Sequence, residues 1–251
     1  MKILVIGGCH TYGCGIQLSA GFVQLLDQKL RIFGHDVWVD FYAPFKMGHF
    51  AQLLAIKPNL CSEYGLIIWQ LGNYELQTAG HFKGLFKNLP NLNDHLYGGS
   101  RVVTSVPSDI RTYPAAVPVI APASQTEHVR NFAKHVVLRI ADFANRITRF
   151  KTLRQELKNL LELTQNYREK IIVLTPFPKP GCSVDNYLRT RGAAIFREEC
   201  RKAKFELVDI FGVATHKRHF LADESHLNET GHRLLKEAIE NTETFKREIR
   251  L

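Results

Sequence analysis

The chain has no pair of cysteines at CxxC spacing, no apolar run long enough to span a bilayer, no internal repeat and no low-complexity tract. Each absence excludes something. The five cysteines (Cys9, Cys14, Cys61, Cys182 and Cys200) are scattered and odd in number, so neither a disulfide framework nor a zinc ribbon is expected. Each is read as a free thiol. A membrane-spanning helix needs about 20 consecutive apolar residues, which the chain does not supply. The opening Met1-Lys2-Ile3-Leu4-Val5-Ile6-Gly7-Gly8 is apolar for only four residues before glycine. That is too short for a signal-peptide core and reads as a buried first strand, so a cytoplasmic location is expected.

What is present is ordinary for a globular protein. The 251 residues are 45% hydrophobic and 23% charged, which excludes a disordered chain, a collagen and a coiled-coil rod. The length fits one α/β domain over residues 1–251 with an insertion. Net charge is +9 and the isoelectric point about 9.4. Much of the excess is local: residues 125–170 hold ten Lys or Arg against five Asp or Glu. That stretch is read as a solvated helix face rather than a nucleic-acid surface.

Apolar periodicity orders the chain. Strands are expected at Lys2–Ile6, Asp36–Tyr42, Leu66–Leu71, Ile171–Leu174 and Glu206–Asp209. Helices are expected at Ala20–Phe33, His49–Ile56, Val184–Ala203 and from Asn228 to Glu240 or beyond. Ser124-Gln125-Thr126-Glu127 is a capping box. The apolar positions from Val129 to Leu160 then predict one long helix or two nearly continuous ones, able to pair with a second copy of the chain. Between them, about Leu76 to Ala123, lies an irregular insertion with five of the ten prolines. Its Phe82, Leu85, Phe86, Leu96 and Tyr97 make it a candidate lid, substrate wall or docking surface. Alternating strands and helices imply a parallel sheet with helices on both faces, whose ligands sit at the carboxyl ends of the strands.

The first strand delivers Gly7-Gly8-Cys9-His10-Thr11-Tyr12-Gly13. Gly8 and Gly13 have Walker-A spacing, but Cys14 and Gly15 stand where Lys and Ser or Thr belong. Rossmann spacing fails as well, because Leu18 stands where the third glycine belongs. A nucleophilic reading survives. Cys9 at a strand-to-helix turn would face outward amides and a positive helix end, which lower a thiol pKa and stabilise an oxyanion. Near the C-terminus, Asp223 and His226 are three apart, so the carboxylate can orient the imidazole as the nucleophile's base. Cys9, His10 and Cys14 match no standard metal spacing, and neither metal nor cofactor is expected. His216, His219 and His232 read as surface or supporting histidines.

These residues carry a resemblance. The chain resembles the SGNH, or GDSL-type, hydrolase superfamily. Gly7-Gly8-Cys9-His10-Thr11-Tyr12-Gly13 is similar to the family's Gly-Asp-Ser-x-Thr-x-Gly block, Gly48 to its second-block glycine, Gly72-Asn73-Tyr74-Glu75 to its Gly-x-Asn-Asp block, and Asp223 to His226 to its Asp-x-x-His block. The resemblance covers both ends of the chain and the order of the elements, but not the insertion. It implies a three-layer α/β/α, flavodoxin-like fold with about five parallel strands and the insertion after strand three. It implies a catalytic set of Cys9, His226 and Asp223, and an oxyanion hole from the amides of Cys9 and Gly48 with the side chain of Asn73. His10, Tyr74 and Glu75, beside these blocks, are candidate substrate-binding residues. The departures are three: Cys9 for the nucleophilic serine, Gly8 for aspartate, and Tyr74 in the usual asparagine slot with Asn73 one residue earlier. The implied activity is hydrolysis or transfer of a small acyl ester, thioester or acylated carbohydrate. The alternative is a degenerate relative that binds a glycan or acyl group without turnover.

Overall fold

A computed structural model of the chain describes residues 1–11, 13–17, 19–42, 46–77, 108–109, 125–144 and 146–249, with backbone alone at 108–109 and 125–132. The strands are β1 (Lys2–Gly7), β2 (Trp38–Tyr42), β3 (Leu66–Gln70), β4 (Ser108–Asp109), β5 (Ile171–Leu174) and β6 (Glu206–Val208). The helices are α1 (Phe22–Ile32), α2 (Met47–Ile56), α3 (Gln125–Phe143), α4 (Thr148–Leu163), α5 (Ser183–Ala203), α6 (Ile210–Val213), α7 (Glu229–Glu240) and α8 (Glu243–Ile249).

The sheet order is β4-β2-β1-β3-β5-β6, and all pairings are parallel except the two-residue β4, which lies antiparallel on β2. The central strands β1, β3 and β5 are short and almost wholly apolar, as strands buried on both faces are, while the flanking β2 and β6 carry Asp40 and Glu206 and are only partly buried. Alternate residues supply two cores. Leu4, Ile6, Ile67, Trp69, Ile171 and Val173 pack with α2, α4 and α5 on one face. Ile3, Val5, Ile68, Ile172 and Leu174 pack with α1, α7 and α8 on the other. The result is the expected three-layer α/β/α arrangement.

Several expectations sharpen. The long periodic stretch is two helices, α3 and α4, and the first begins at Gln125 beside the capping box. Two short helices, α6 and α8, were not expected. The candidate lid residues Phe82, Leu85, Phe86, Leu96 and Tyr97 lie outside the described residues. Among the described residues, no helix is long and apolar enough to cross a membrane.

Candidate active site

The site is built where β1, β3 and β5 end. The Gly8 N–H donates to Gln70 Oε1 at 3.0 Å, and the Gly8 carbonyl accepts the N–H and hydroxyl of Thr11 at 2.9 and 2.5 Å. These bonds hold Cys9 at the carboxyl edge of the sheet. The chain then turns instead of entering a helix: α1 begins only at Phe22. The strand-to-helix turn expected at Cys9 is thus a longer loop, and no helix follows Cys9 directly.

Side chains lower the Cys9 thiol. Burial would push the Cys9 thiol up, but a hydrogen bond and charge from His226, the charge of Arg189 and a hydrogen bond from Tyr74 outweigh it, and the thiol lies below its ordinary value. His226 responds in the opposite sense. Burial would lower it, but hydrogen bonds to Cys14 and Cys9, the Cys9 charge and Asp223 lift it far above its ordinary value. Cys9 and His226 thus favour a thiolate–imidazolium pair.

The His226 loop is tightly fixed. The Leu221 N–H donates to the His226 carbonyl at 2.7 Å, and Phe220 bridges Leu227. Asp223 Oδ1 accepts the N–H groups of Ser225 and His226 at 2.9 and 3.1 Å, and Oδ2 accepts from His226 Nδ1 at 2.5 Å. Burial would raise the Asp223 carboxyl, but His226 and these amides hold it below the usual carboxylate range. With Nδ1 committed to Asp223, Nε2 is the nitrogen left for the two thiols. Asn228 closes the loop: its Oδ1 caps α7 at the Gly231 N–H (3.0 Å), and its Nδ2 donates to the carbonyls of Arg218 and Phe220.

The third strand-end turn depends on Gly72, whose φ of +92° suits glycine. It swings Asn73 and Tyr74 inward. Asn73 Oδ1 accepts the Phe177 N–H at 2.7 Å, which ties the β3 turn to the loop after β5. Tyr74 lies over Gly8 and bonds the Cys9 sulfur. Glu75 caps a helix: its Oε1 accepts the Met47 N–H at 2.7 Å, where Lys46 supplies no side-chain cap. It thereby fixes the first turn of α2, which carries Gly48. No described atom lies within 4 Å of where a Gly48 Cβ would project.

His10 is buried with its ring stacked on Phe177 at 4.0 Å and tilted 5.3 Å from His226. Burial, then the charges of His226 and Arg189, push it well below its ordinary value, so it is neutral. His232 is not a surface residue. It is buried, its Nδ1 accepts the Phe22 N–H at 3.3 Å in place of a cap that Gly21 lacks, and burial pushes it down to about 3. His219 is buried too. One imidazole at this site is charged, and its neighbours are neutral partly because of it.

No known family profile and no curated protein sequence matches the chain. Solved structures do match. TesA aligns with a TM-score of 0.53 at 18% identity, over 99% of this chain and 99% of its own. A member of the lipolytic G-D-S-L family from Veillonella parvula aligns with a TM-score of 0.51 at 14% identity, over 97% and 98%. A catalytic mutant of an acetylxylan esterase from Geobacillus stearothermophilus aligns with a TM-score of 0.55 at 13% identity, over 100% and 94%. The fold is that of the SGNH hydrolases.

On this SGNH fold, the structure brings Cys9, His226, Asp223 and Tyr74 together, with His10 behind the imidazole and Glu75 under α2. Two residues of the site escaped the sequence reading. Cys14, buried, shares the His226 imidazole with Cys9. Arg189, also buried, extends from α5 and donates from Nη1 to the Phe177 carbonyl at 3.1 Å. A signal for Arg189 existed. Asp185 and Arg189 stand four apart on a stripe with Val184, Leu188, Gly192 and Phe196, where a charge needs a reason. Among the described residues no cluster of three or more His, Cys, Asp or Glu is arranged to hold a metal ion.

Proposed function

We propose that this protein is a hydrolase or acyltransferase that cleaves a small acyl ester, thioester or acylated carbohydrate through Cys9, His226 and Asp223. The observation that carries the reading is the chain of contacts from Asp223 Oδ2 through His226 to the Cys9 sulfur, at the strand ends of an SGNH fold. The esterase and lipase activities named for the fold's other members support the same class of bond.

The proposed mechanism assigns each group a step. The Cys9 thiolate attacks the acyl carbonyl, and the carbonyl π electrons move onto oxygen. The amides of Cys9 and Gly48 with the Asn73 amide nitrogen receive that oxyanion. The tetrahedral adduct collapses, and the His226 imidazolium protonates the leaving oxygen or sulfur. An acyl-thioester on Cys9 remains. Neutral His226 then draws a proton from water, or from an acceptor hydroxyl, which attacks the thioester and restores the thiolate. Asp223 keeps Nδ1 protonated and Nε2 aimed at the reaction throughout. A reducing, cytoplasmic setting belongs to the proposal, because the chemistry needs Cys9 as a free thiol.

The test is a panel of chromogenic acyl esters and thioesters run with the wild type, Cys9→Ala and His226→Ala. Turnover by the wild type that both variants lose supports the reading. Turnover that survives Cys9→Ala overturns it. Saturable ligand binding with no turnover by the wild type favours the binding-only alternative.

A further inference from the structure

We propose that Cys9 and Cys14 form a peroxide-reactive dithiol, in which a hydroperoxide oxidises Cys9 and Cys14 resolves the product as an intramolecular disulfide. This goes beyond acyl transfer and needs no ester turnover.

The turn after β1 is built to bring the two residues together. The Cys14 N–H donates to the Cys9 carbonyl at 3.0 Å. Given standard bond lengths, that bond keeps the two α-carbons within about 7 Å, the upper limit for a disulfide. Cys14 is flanked by Gly13 at φ +75° and Gly15 at φ +83°, left-handed conformations that fold the chain back sharply. Both sulfurs also hydrogen-bond the single imidazole of His226. Because Asp223 holds Nδ1, they converge on one nitrogen. The backbone bond brings the two residues together, and both thiols act on the same imidazole.

Their environments divide the roles. Cys9 is partly exposed, and a peroxide can reach it. Cys14 is buried, so it is reached only from within the site. Of the other three thiols, Cys61 and Cys200 are buried, each pushed up by burial, and Cys182 is partly exposed at the N-cap of α5.

The steps balance. The Cys9 thiolate attacks the terminal oxygen of a hydroperoxide and the O–O bond breaks. The departing alkoxide, or hydroxide from hydrogen peroxide, takes the proton of the His226 imidazolium. Cys9 is now a sulfenic acid and His226 is neutral. His226 then accepts the Cys14 thiol proton, the Cys14 thiolate attacks the Cys9 sulfur, and the leaving hydroxide takes that proton back and departs as water. Two thiols are oxidised to one disulfide and one hydroperoxide is reduced. Without a resolving thiol, the sulfenic acid is open to further, irreversible oxidation.

The test treats the full chain with hydrogen peroxide, alkylates the remaining thiols under denaturing conditions, and maps the tryptic peptide that spans Ile3 to Lys29. The expected result is loss of two hydrogens from that peptide, with neither Cys9 nor Cys14 alkylated, reversed by dithiothreitol. In Cys14→Ser the same peptide is expected to gain oxygen and to lose its recovery by reductant. Sulfinic Cys9 beside an alkylated Cys14 in the wild type would overturn the proposal. So would a disulfide joining a different pair. The wild-type measurement decides even if the variant fails to fold, and ester turnover plays no part in it.

Discussion

The phenol of Tyr74 lies against the α-carbon of Gly8, so closely that a Cβ at residue 8 would come within 2.5 Å of both the Tyr74 ring and its hydroxyl. No side chain fits at residue 8 while Tyr74 keeps this position. The two departures from the family's blocks, glycine for aspartate at 8 and tyrosine in the slot at 74, are therefore one structural change. The vacated space admits a phenol that bonds the Cys9 sulfur.

That coupling predicts a non-additive pair. A hydrogen bond to a charged group contributes about 1.5–3 kcal/mol, roughly one to two pKa units. Tyr74→Phe should move the pH midpoint of Cys9 alkylation upward by about one unit. Gly8→Ala should move it in the same direction by displacing the ring, although it leaves the hydroxyl intact. The double variant should be no worse than the larger single effect. Additive shifts in iodoacetamide rate profiles would show that the two residues act separately.

Cys9 should also stand apart from the buried Cys61 and Cys200 in its pH response. His226, Arg189 and Tyr74 favour its thiolate, with Asp223 fixing His226 and neutral His10 behind it. A lowered thiol stays ionised, and reactive, at a pH where an ordinary cysteine has lost most of its thiolate. Cys9 should therefore be labelled by iodoacetamide below about pH 7. Cys61, pushed up to about 11 by burial, and Cys200, pushed up to about 12, should remain unlabelled in the folded protein. His226→Ala should move the Cys9 profile upward, because burial then meets less opposition. Peptide mapping of the labelled chain reads all of these sites at once.

Much of this was legible beforehand, for definite reasons. Apolar runs such as Leu66–Gln70 announce strands buried on both faces, and their alternation with helices dictates the layers. Asp223 and His226 were readable as a pair because three residues of a tight turn suffice to join them. Cys14 was not, because its position depends on two left-handed glycines that bend the chain against any regular period. Arg189 reads in the sequence only as part of a helix, while its role depends on which strand-end loop that helix faces. The loop after Cys9 is longer than its glycines announce, and α1 starts thirteen residues later, at Phe22. The blocks predict which residues meet, and the tertiary contacts decide what polarises them.

Arg189 should prove to be a positioning residue. Its guanidinium ties the loop after β5 through the Phe177 carbonyl, and its charge reaches Cys9 without a direct bond. Arg189→Met should shift the Cys9 alkylation midpoint upward by less than about one unit, because no hydrogen bond to sulfur is lost. It should also lower thermal stability, since a buried carbonyl loses its donor at a cost of about 1–3 kcal/mol. Arg189→Lys should restore part of the pH profile, because charge is kept, but less of the stability, because the planar fork is lost. A purely structural arginine would change the melting temperature and leave the alkylation profile in place.

The last prediction concerns Glu156 on α4, half-buried beside Glu75. Burial first, and then the Glu75 charge, push its carboxyl up to about 7, against the opposing charges of Lys46 and Arg149. The folded state thus favours the protonated form more than the unfolded chain does. That stabilises the protein at acidic pH, and the contribution is lost as pH rises from the unfolded value of 4.5 through about 7. Above neutrality the fold must hold two neighbouring carboxylates. Glu156→Gln keeps the shape and removes one charge. After discounting for solvent screening, it should stabilise the protein by on the order of 1–2 kcal/mol at pH 8. At about pH 4 it should change little. Thermal melts at the two pH values read the difference directly, as a gain of a few degrees at pH 8 that disappears in acid. A gain of equal size at both values would mean that the substitution acts through packing and not through this pair of carboxylates.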